Sequence, residues 1–162
     1  MQETINSELL AGFIDLLHLN AKKAPHSDKE YDKAEIAELY HSAYHFYQNG
    51  KYPEAVNFFY ALTAMDSINV HYWIGYAASL KMVRQFQKAL DAYIIAGMLN
   101  YQDPFVHAHA ADCCFALGQI DRGLLAIDLA ESLGRKIEDN EDFISQLAVI
   151  REAWFNHKNN SK

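Results

Sequence analysis

The sequence is poor in the residues that break helices or cross-link small folds. Its 162 residues include three prolines, seven glycines and two cysteines. Few prolines and glycines argue against a turn-rich β fold and favour long helices. The two cysteines, Cys113 and Cys114, are adjacent in sequence, so they cannot join distant parts of the chain. This cysteine usage is typical of a protein from a reducing compartment.

The sequence also lacks a long apolar run and an excess of positive charge. No apolar segment approaches the roughly 18 residues of a membrane-spanning helix, and the first residues contain no lysine or arginine ahead of their apolar stretch, unlike a secretory signal. The formal net charge of -7 argues against binding to nucleic acid or anionic lipid. We therefore expect a cytoplasmic protein without membrane insertion, suited to a basic or extended partner.

What the sequence does contain is a period of 34 residues, in the windows 36–69, 70–103 and 104–137. Small residues recur at one position of the first half of each window: Ala43, Ala77 and Ala111. They recur again in the second half: Ala55, Ala89 and Gly123. The position between the halves reads Gly50, Arg84 and Gly118. Small side chains let two helices approach closely, and glycine favours a tight turn between them, so the period predicts three helix pairs.

Two further helices are expected outside the repeats, giving an N-terminal segment 1–30, a repeat domain 31–157 and a tail 158–162. A closing helix over about 140–157 should cover the open end of the last pair. Residues 4–19 are predicted to form an amphipathic helix, whose apolar stripe contains Leu9, Leu10, Phe13, Leu16 and Leu17. This stripe either folds back on its own repeats or forms a contact between two copies of the chain. The linker that separates it from the repeats favours the contact between copies.

The first helix of each pair should line the concave surface of such a solenoid. The inward positions are Tyr40, Tyr44, Tyr47, His71, Ile74, Ala78, Met82, Phe105, Ala108, Asp112 and Phe115, with Lys81 at the rim. Large rings beside alanines form pockets that receive apolar side chains, so we expect this surface to bind an extended peptide. The alternative is that several of these rings are buried in the packing between helices.

The residues that could carry out catalysis are better explained without it. His41 and His45 share one helix face, as metal ligands often do, but no third ligand follows from their spacing. His107 and His109 point to different faces, and Asp112 is a weak third partner. We interpret Cys113 and Cys114 as small core residues of a helix. The sequence therefore predicts no enzyme, no metal site and no cofactor.

The repeat resembles a known family. The patterns G-x-Y-x-x-A-x-x-x-F at 50–59 and W-x-x-x-A at 73–77 are similar to the tetratricopeptide repeat, and the resemblance extends over 36–137. Arg84 and Gly123 depart from the family pattern. The resemblance implies an all-α fold, in which three helix pairs form a short right-handed solenoid between an N-terminal amphipathic helix and a C-terminal capping helix.

A narrower resemblance lies in AELYHSAYHFYQNGKYPEA at 37–55, YWIGYA at 72–77 and DPFVHAHAA at 103–111. These stretches are similar to the translocator-class chaperones of type III secretion in Gram-negative bacteria. The resemblance implies a cytoplasmic chaperone that keeps hydrophobic translocator proteins soluble, is a homodimer without its client, and uses Tyr40, Tyr44 and Tyr47 as groove residues. The alternative is a generic repeat adaptor or cochaperone that grips the tail of a folded partner with lysines and arginines.

Overall fold

The computed structural model describes residues 32–160, and these residues form seven α-helices. The helices are α1 (Lys33–Gln48), α2 (Tyr52–Met65), α3 (Val70–Met82), α4 (Phe86–Leu99), α5 (Pro104–Ala116), α6 (Ile120–Gly134) and α7 (Glu141–Asn160). Each helix packs mainly against its neighbours in the chain. Three helix pairs, α1/α2, α3/α4 and α5/α6, thus follow one another, with α7 packed on α6. The predicted all-α repeat architecture is confirmed.

The first helix of each pair begins at a side-chain cap. Asp32, Asn69 and Asp103 each accept a hydrogen bond from the backbone N–H two residues later, over 3.2, 3.2 and 2.9 Å. These bonds satisfy N–H groups that have no partner inside the helix. The caps therefore determine where α1, α3 and α5 begin.

The turn inside each pair has the same backbone conformation in all three repeats. Gly50, Arg84 and Gly118 have φ values of 72°, 62° and 71°. In each turn the next residue donates a backbone hydrogen bond to the carbonyl five residues earlier, over 2.9, 2.9 and 2.8 Å. This bond is typical of helices that end in a left-handed residue. The turn at Arg84 therefore has the same geometry as the two turns that contain glycine.

The recurring small residues lie where helices approach most closely. Ala43, Ala77 and Ala111 are fully buried, and so are Ala55 and Ala89. Gly123 takes the place of alanine in the third pair because the ring of Phe115 fills the space. A Cβ atom on Gly123 would lie 2.3 Å from Cε1 of that ring, far inside van der Waals contact.

Helix α7 closes the third pair with both rings and charges. Trp154 stacks on Phe115, with ring centroids 4.5 Å apart and planes 8° apart. Glu131 of α6 is buried, and its carboxylate accepts a hydrogen bond from Arg151 of α7 over 2.8 Å. Aromatic stacking and a charged hydrogen bond thus hold α7 in place.

The closing helix is longer than the sequence indicates. It runs from Glu141 to Asn160, whereas the predicted helix ended at about 157 and was followed by a tail from 158. Lys158 forms an ion pair with Asp121 of α6. Two basic residues in the last turn, His157 and Lys158, also favour the helix because its C-terminal end carries partial negative charge.

The predicted N-terminal helix, with its stripe Leu9, Leu10, Phe13, Leu16 and Leu17, lies outside the described residues. Among residues 32–160, none of the helices combines the length and the apolar character that crossing a membrane requires.

Candidate functional site

An aromatic pocket lies between the first helices of the first two pairs. It is a cavity of about 170 Å³ lined by Tyr40, Tyr44, Tyr47, Phe59, His71, Ile74, Gly75 and Ala78. The lining includes all the residues predicted for the concave surface from the first window, and three of those from the second. The structure therefore brings together these predicted residues, which come from two neighbouring repeats.

The floor of the pocket is the ring of Phe59, and Gly75 determines its depth. Phe59 is 2% exposed, and a Cβ atom on Gly75 would lie 2.2 Å from the ring. Tyr40 packs its ring against the floor at a steep angle, with centroids 6.1 Å apart. Because Gly75 has no side chain, Phe59 can lie deep against α3 and leave room above it.

Three tyrosines line the pocket. Tyr44 is half exposed and lies in a stacked arrangement on Tyr40, with centroids 6.5 Å apart. The ring of Tyr47 lies 5.4 Å from that of Tyr52. Burial raises the pKa of Tyr47, and the neighbouring Tyr52 and Tyr44 raise it further. Its hydroxyl thus stays protonated at neutral pH and can donate a hydrogen bond.

A polar cluster lies further along the same helices. Nζ of Lys81 lies 3.1 Å from Oδ2 of Asp112 and 3.3 Å from Nδ1 of His109. Nδ1 of His109 lies 3.7 Å from the same carboxylate oxygen. Burial alone would raise the pKa of Asp112, but His109 and Lys81 outweigh it and the pKa lies below its ordinary value of 3.8. Asp112 is therefore ionised at neutral pH.

Tyr93 of α4 lies beneath this cluster. Its ring stacks with the ring of His109, with centroids 5.6 Å apart. Burial raises the pKa of Tyr93, and Cys113, Tyr47 and Asp112 raise it further. The pKa of Tyr93 thus responds to groups of both the pocket and the cluster.

Sequence reasoning did not assign Tyr93, Phe59, Gly75 and His109 to the concave surface, since it considered only the inward positions of each first helix. Tyr93 and Phe59 occupy the same repeat position, where the third repeat has Ile127. A large ring recurring at one position of the second helix was the signal that could have identified them.

The remaining predicted residues lie elsewhere. Met82 and Phe105 are exposed, and the ring of Phe105 lies 4.5 Å from that of Phe143 of α7. Ala108 packs on the core of the third pair. Phe115 is 6% exposed beneath Trp154, so the structure places it in the core rather than on the open surface.

The two cysteines lie in the interior of α5. Cys113 is fully buried and Cys114 nearly so. Burial raises the pKa of the Cys113 thiol to about 11, with Lys81 opposing and Asp112 and Cys114 adding to the shift. Both cysteines pack with apolar residues of the second pair, as the sequence indicated for small core residues.

Comparison with known proteins identifies relatives in sequence. The tetratricopeptide repeat family matches residues 36–69, the bounds of the first predicted repeat. The low calcium response locus protein H of Yersinia pestis is 28% identical over 108 residues, which are 67% of this chain and 62% of that protein. The chaperone protein SicA of Salmonella dublin is 43% identical over 65 residues, 40% of this chain and 39% of SicA. The chain thus matches less than two thirds of the length of these relatives.

Solved structures share the fold. PcrH, in complex with the chaperone binding region of PopD, superimposes with a TM-score of 0.76 at 23% identity, over 82% of this chain and 99% of PcrH. The Yersinia enterocolitica chaperone SycD, in complex with a peptide of the translocator YopD, gives 0.75 at 24% identity, over 80% of this chain and 99% of SycD. The chain therefore has the fold of a tetratricopeptide-repeat solenoid and resembles the translocator chaperones of type III secretion.

Proposed function

We propose that the chain is a cytoplasmic chaperone that holds an extended apolar segment of a hydrophobic translocator in its concave groove. The observation that carries the proposal is the aromatic pocket formed by Tyr40, Tyr44 and Tyr47 with His71, Ile74 and Ala78. The complexes of PcrH with PopD and of SycD with a YopD peptide support it, since both proteins share this fold. No catalytic step belongs to this function.

The size of the pocket suits a side chain rather than a small molecule. Its volume of about 170 Å³ is below the roughly 300–1,000 Å³ of ordinary small-molecule sites. Burying one apolar side chain contributes about 1.5–3 kcal/mol, and ordering an extended peptide costs several kcal/mol. A short segment with a few apolar anchors is therefore expected to bind with a micromolar dissociation constant.

A chaperone of this kind competes with aggregation of its client. A membrane-inserting protein exposes apolar segments until it reaches a bilayer, and such segments associate with one another in water. A protein that binds the unfolded client shifts the equilibrium away from aggregation by mass action. The binding requires no nucleotide or cofactor.

The adaptor alternative needs a cation available to a carboxylate. Lys81 and Arg84 are the two candidates near the groove for this role, and Nζ of Lys81 lies 3.1 Å from Oδ2 of Asp112. An incoming carboxylate would have to displace Asp112 or lie next to its charge. This pairing favours an internal apolar segment over a free C-terminus as the ligand.

The proposal includes a homodimer in the absence of client, with Leu9, Leu10, Phe13, Leu16 and Leu17 in the contact. Two observations support it. The exposed residues of α1 outside the pocket are largely polar, among them Glu35, Glu38, His41 and His45, so α1 itself offers little apolar surface on which the stripe could fold back. A structure of SycD is also described as an alternative dimer.

The test is co-expression with the hydrophobic translocators of the same secretion system. Tyr44→Glu places a charge at the mouth of the pocket, and Tyr101→Glu is its matched control. Tyr101 is 58% exposed, against 50% for Tyr44, and it also contacts one ring, that of His107. We expect the translocator to stay soluble and co-purify with the native chain and with Tyr101→Glu, and to precipitate with Tyr44→Glu.

Equal retention of the translocator by Tyr44→Glu would contradict the assignment of the pocket. If no translocator is retained and a peptide with a free C-terminal carboxylate binds instead, the adaptor function replaces the chaperone function.

A further inference from the structure

The concave groove changes in chemical character along its length. The ninth and twelfth positions of the windows are Tyr44 and Tyr47 in the first repeat, Ala78 and Lys81 in the second, and Asp112 and Phe115 in the third. The tyrosines that line the aromatic pocket therefore do not recur at these positions of the second and third repeats. The cluster of Lys81, His109 and Asp112 lies there instead.

The carboxylate of this cluster is more exposed than the ammonium group that it pairs with. The side chain of Asp112 is 45% exposed and that of Lys81 is 23% exposed. Oδ2 of Asp112 takes the contacts with Lys81 and His109, whereas Oδ1 accepts no hydrogen bond from residues 32–160. One carboxylate oxygen thus remains free to accept a hydrogen bond from a ligand.

Tyr93 supplies a donor beside this acceptor. The residue is 1% exposed, and its hydroxyl makes no hydrogen bond within the described part of the chain. Every fully buried side-chain nitrogen or oxygen of that part has a partner. The hydroxyl of Tyr93 must therefore reach solvent. The ring of Tyr93 stacks with that of His109, whose Nδ1 lies 3.7 Å from Oδ2 of Asp112, so Tyr93 and Asp112 flank the same histidine.

The paired charges of the cluster favour an uncharged ligand group. An anionic side chain would meet the exposed carboxylate of Asp112, and a cationic one would meet Lys81; like charges repel each other strongly at a partly buried site. An uncharged group with one donor and one acceptor fits both Asp112 and Tyr93. The peptide group of an extended chain is such a group.

We propose that Asp112 and Tyr93 bind the main chain of the client segment, with Oδ1 of Asp112 accepting from a backbone N–H and the Tyr93 hydroxyl donating to a backbone carbonyl. This contact sets the register of the segment, so that its apolar side chain enters the aromatic pocket. The residue bound at Asp112 cannot be proline, which has no N–H. This inference rests on the proposed function and adds a specificity determinant to it.

The experiment uses a probe peptide and backbone N-methylation. A library of random 12-residue peptides is selected on the full-length chain, and the tightest binder is synthesised with each amide N-methylated in turn. Methylation removes one N–H and leaves the side chains unchanged. We expect one amide whose methylation weakens binding about tenfold or more, the loss typical of a hydrogen bond to a charged acceptor.

The variants assign that amide to its acceptor. In Asp112→Ala the same methylation should change affinity by less than about twofold, because the acceptor has been removed. Asp112→Asn loses the ion pair with Lys81 but keeps an acceptor oxygen, so it should retain the sensitivity to methylation. Tyr93→Phe should weaken the unmethylated peptide by about threefold to tenfold. Circular dichroism melting curves check that each variant is folded.

Equal sensitivity to methylation in the native chain and in Asp112→Ala would overturn the main-chain contact, and so would the lack of any sensitive amide. If the proposed function itself is wrong, the library yields no peptide that binds the native chain more tightly than it binds the Tyr44→Glu variant.

Discussion

At the scale of single residues, two glycines decide where two large rings lie. Gly75 lies against Phe59 and Gly123 against Phe115, each closer than any side chain would allow. The first arrangement deepens the aromatic pocket, and the second draws Phe115 into the core, where Trp154 covers it. Glycine beside a large ring thus leaves a pocket at the first end of the groove and buries the ring in the core at the other end.

We predict that Gly123→Ala destabilises the protein by about 1–3 kcal/mol, the usual cost of overpacking a core. Alanine stands at the equivalent position of the first two repeats, so comparison of the repeats alone would predict stabilisation. The added Cβ would lie 2.3 Å from the ring of Phe115. Urea unfolding followed by circular dichroism measures the change.

The control for this prediction is a double-mutant cycle with Phe115→Leu. The smaller side chain gives the new methyl group room, so Gly123→Ala should cost much less in the Phe115→Leu background. A stabilising effect of Gly123→Ala in the native background would show that the ring moves aside without loss.

At the scale of helices and turns, the left-handed residue at the end of α3 is a source of strain. Arg84 has a φ of 62°, which costs a residue with a Cβ roughly 1–2 kcal/mol. We predict that Arg84→Gly stabilises the protein by about 0.5–1 kcal/mol, after subtraction of the larger entropy of glycine in the unfolded chain. A rise in the thermal midpoint measures it.

The matched controls are Gly50→Ala and Gly118→Ala. A Cβ atom at either glycine would meet nothing within 4 Å, so backbone strain is the main cost. Each substitution should lower stability by about 1 kcal/mol. If Arg84→Gly lowers stability as well, the arginine side chain contributes more to the fold than its backbone conformation costs.

Much of the helical arrangement could be predicted from the sequence. The recurring alanines and the turn positions predicted three helix pairs and the face of each first helix that points inward. They could not predict the different surroundings of Tyr47 and Phe115, which share one repeat position. Phe115 is buried because Trp154, far along the chain, stacks on it. The end of α7 likewise depends on the pairing of Lys158 with Asp121 of another helix.

The same limit applies to the candidate site. The period located the tyrosines of the pocket because each lies on the inward face of α1. It did not indicate that Asp112 pairs with Lys81 or that Tyr93 lies beneath them, since these contacts join three helices and depend on side-chain conformations.

At the scale of the whole molecule, the proposed homodimer is expected to depend on the N-terminal stripe. We predict that Phe13→Glu converts the homodimer to a monomer, because a buried charge without a partner cannot be retained in an apolar contact. Sedimentation velocity without client measures the mass.

Ser7→Glu, which adds the same charge beside the stripe, is the control and should leave the dimer intact. A dimer that survives Phe13→Glu would contradict the assignment of the contact to the stripe.

The aromatic pocket also has a consequence for how the molecule unfolds. Its walls belong to two repeats, α1 and α3, and the polar cluster joins α3 to α5. In a linear array each repeat is stabilised mainly by its neighbours, and the array can melt from an end. A ligand bound to both the pocket and the cluster would contact all three repeats. The first and third repeats would then unfold together rather than one after the other.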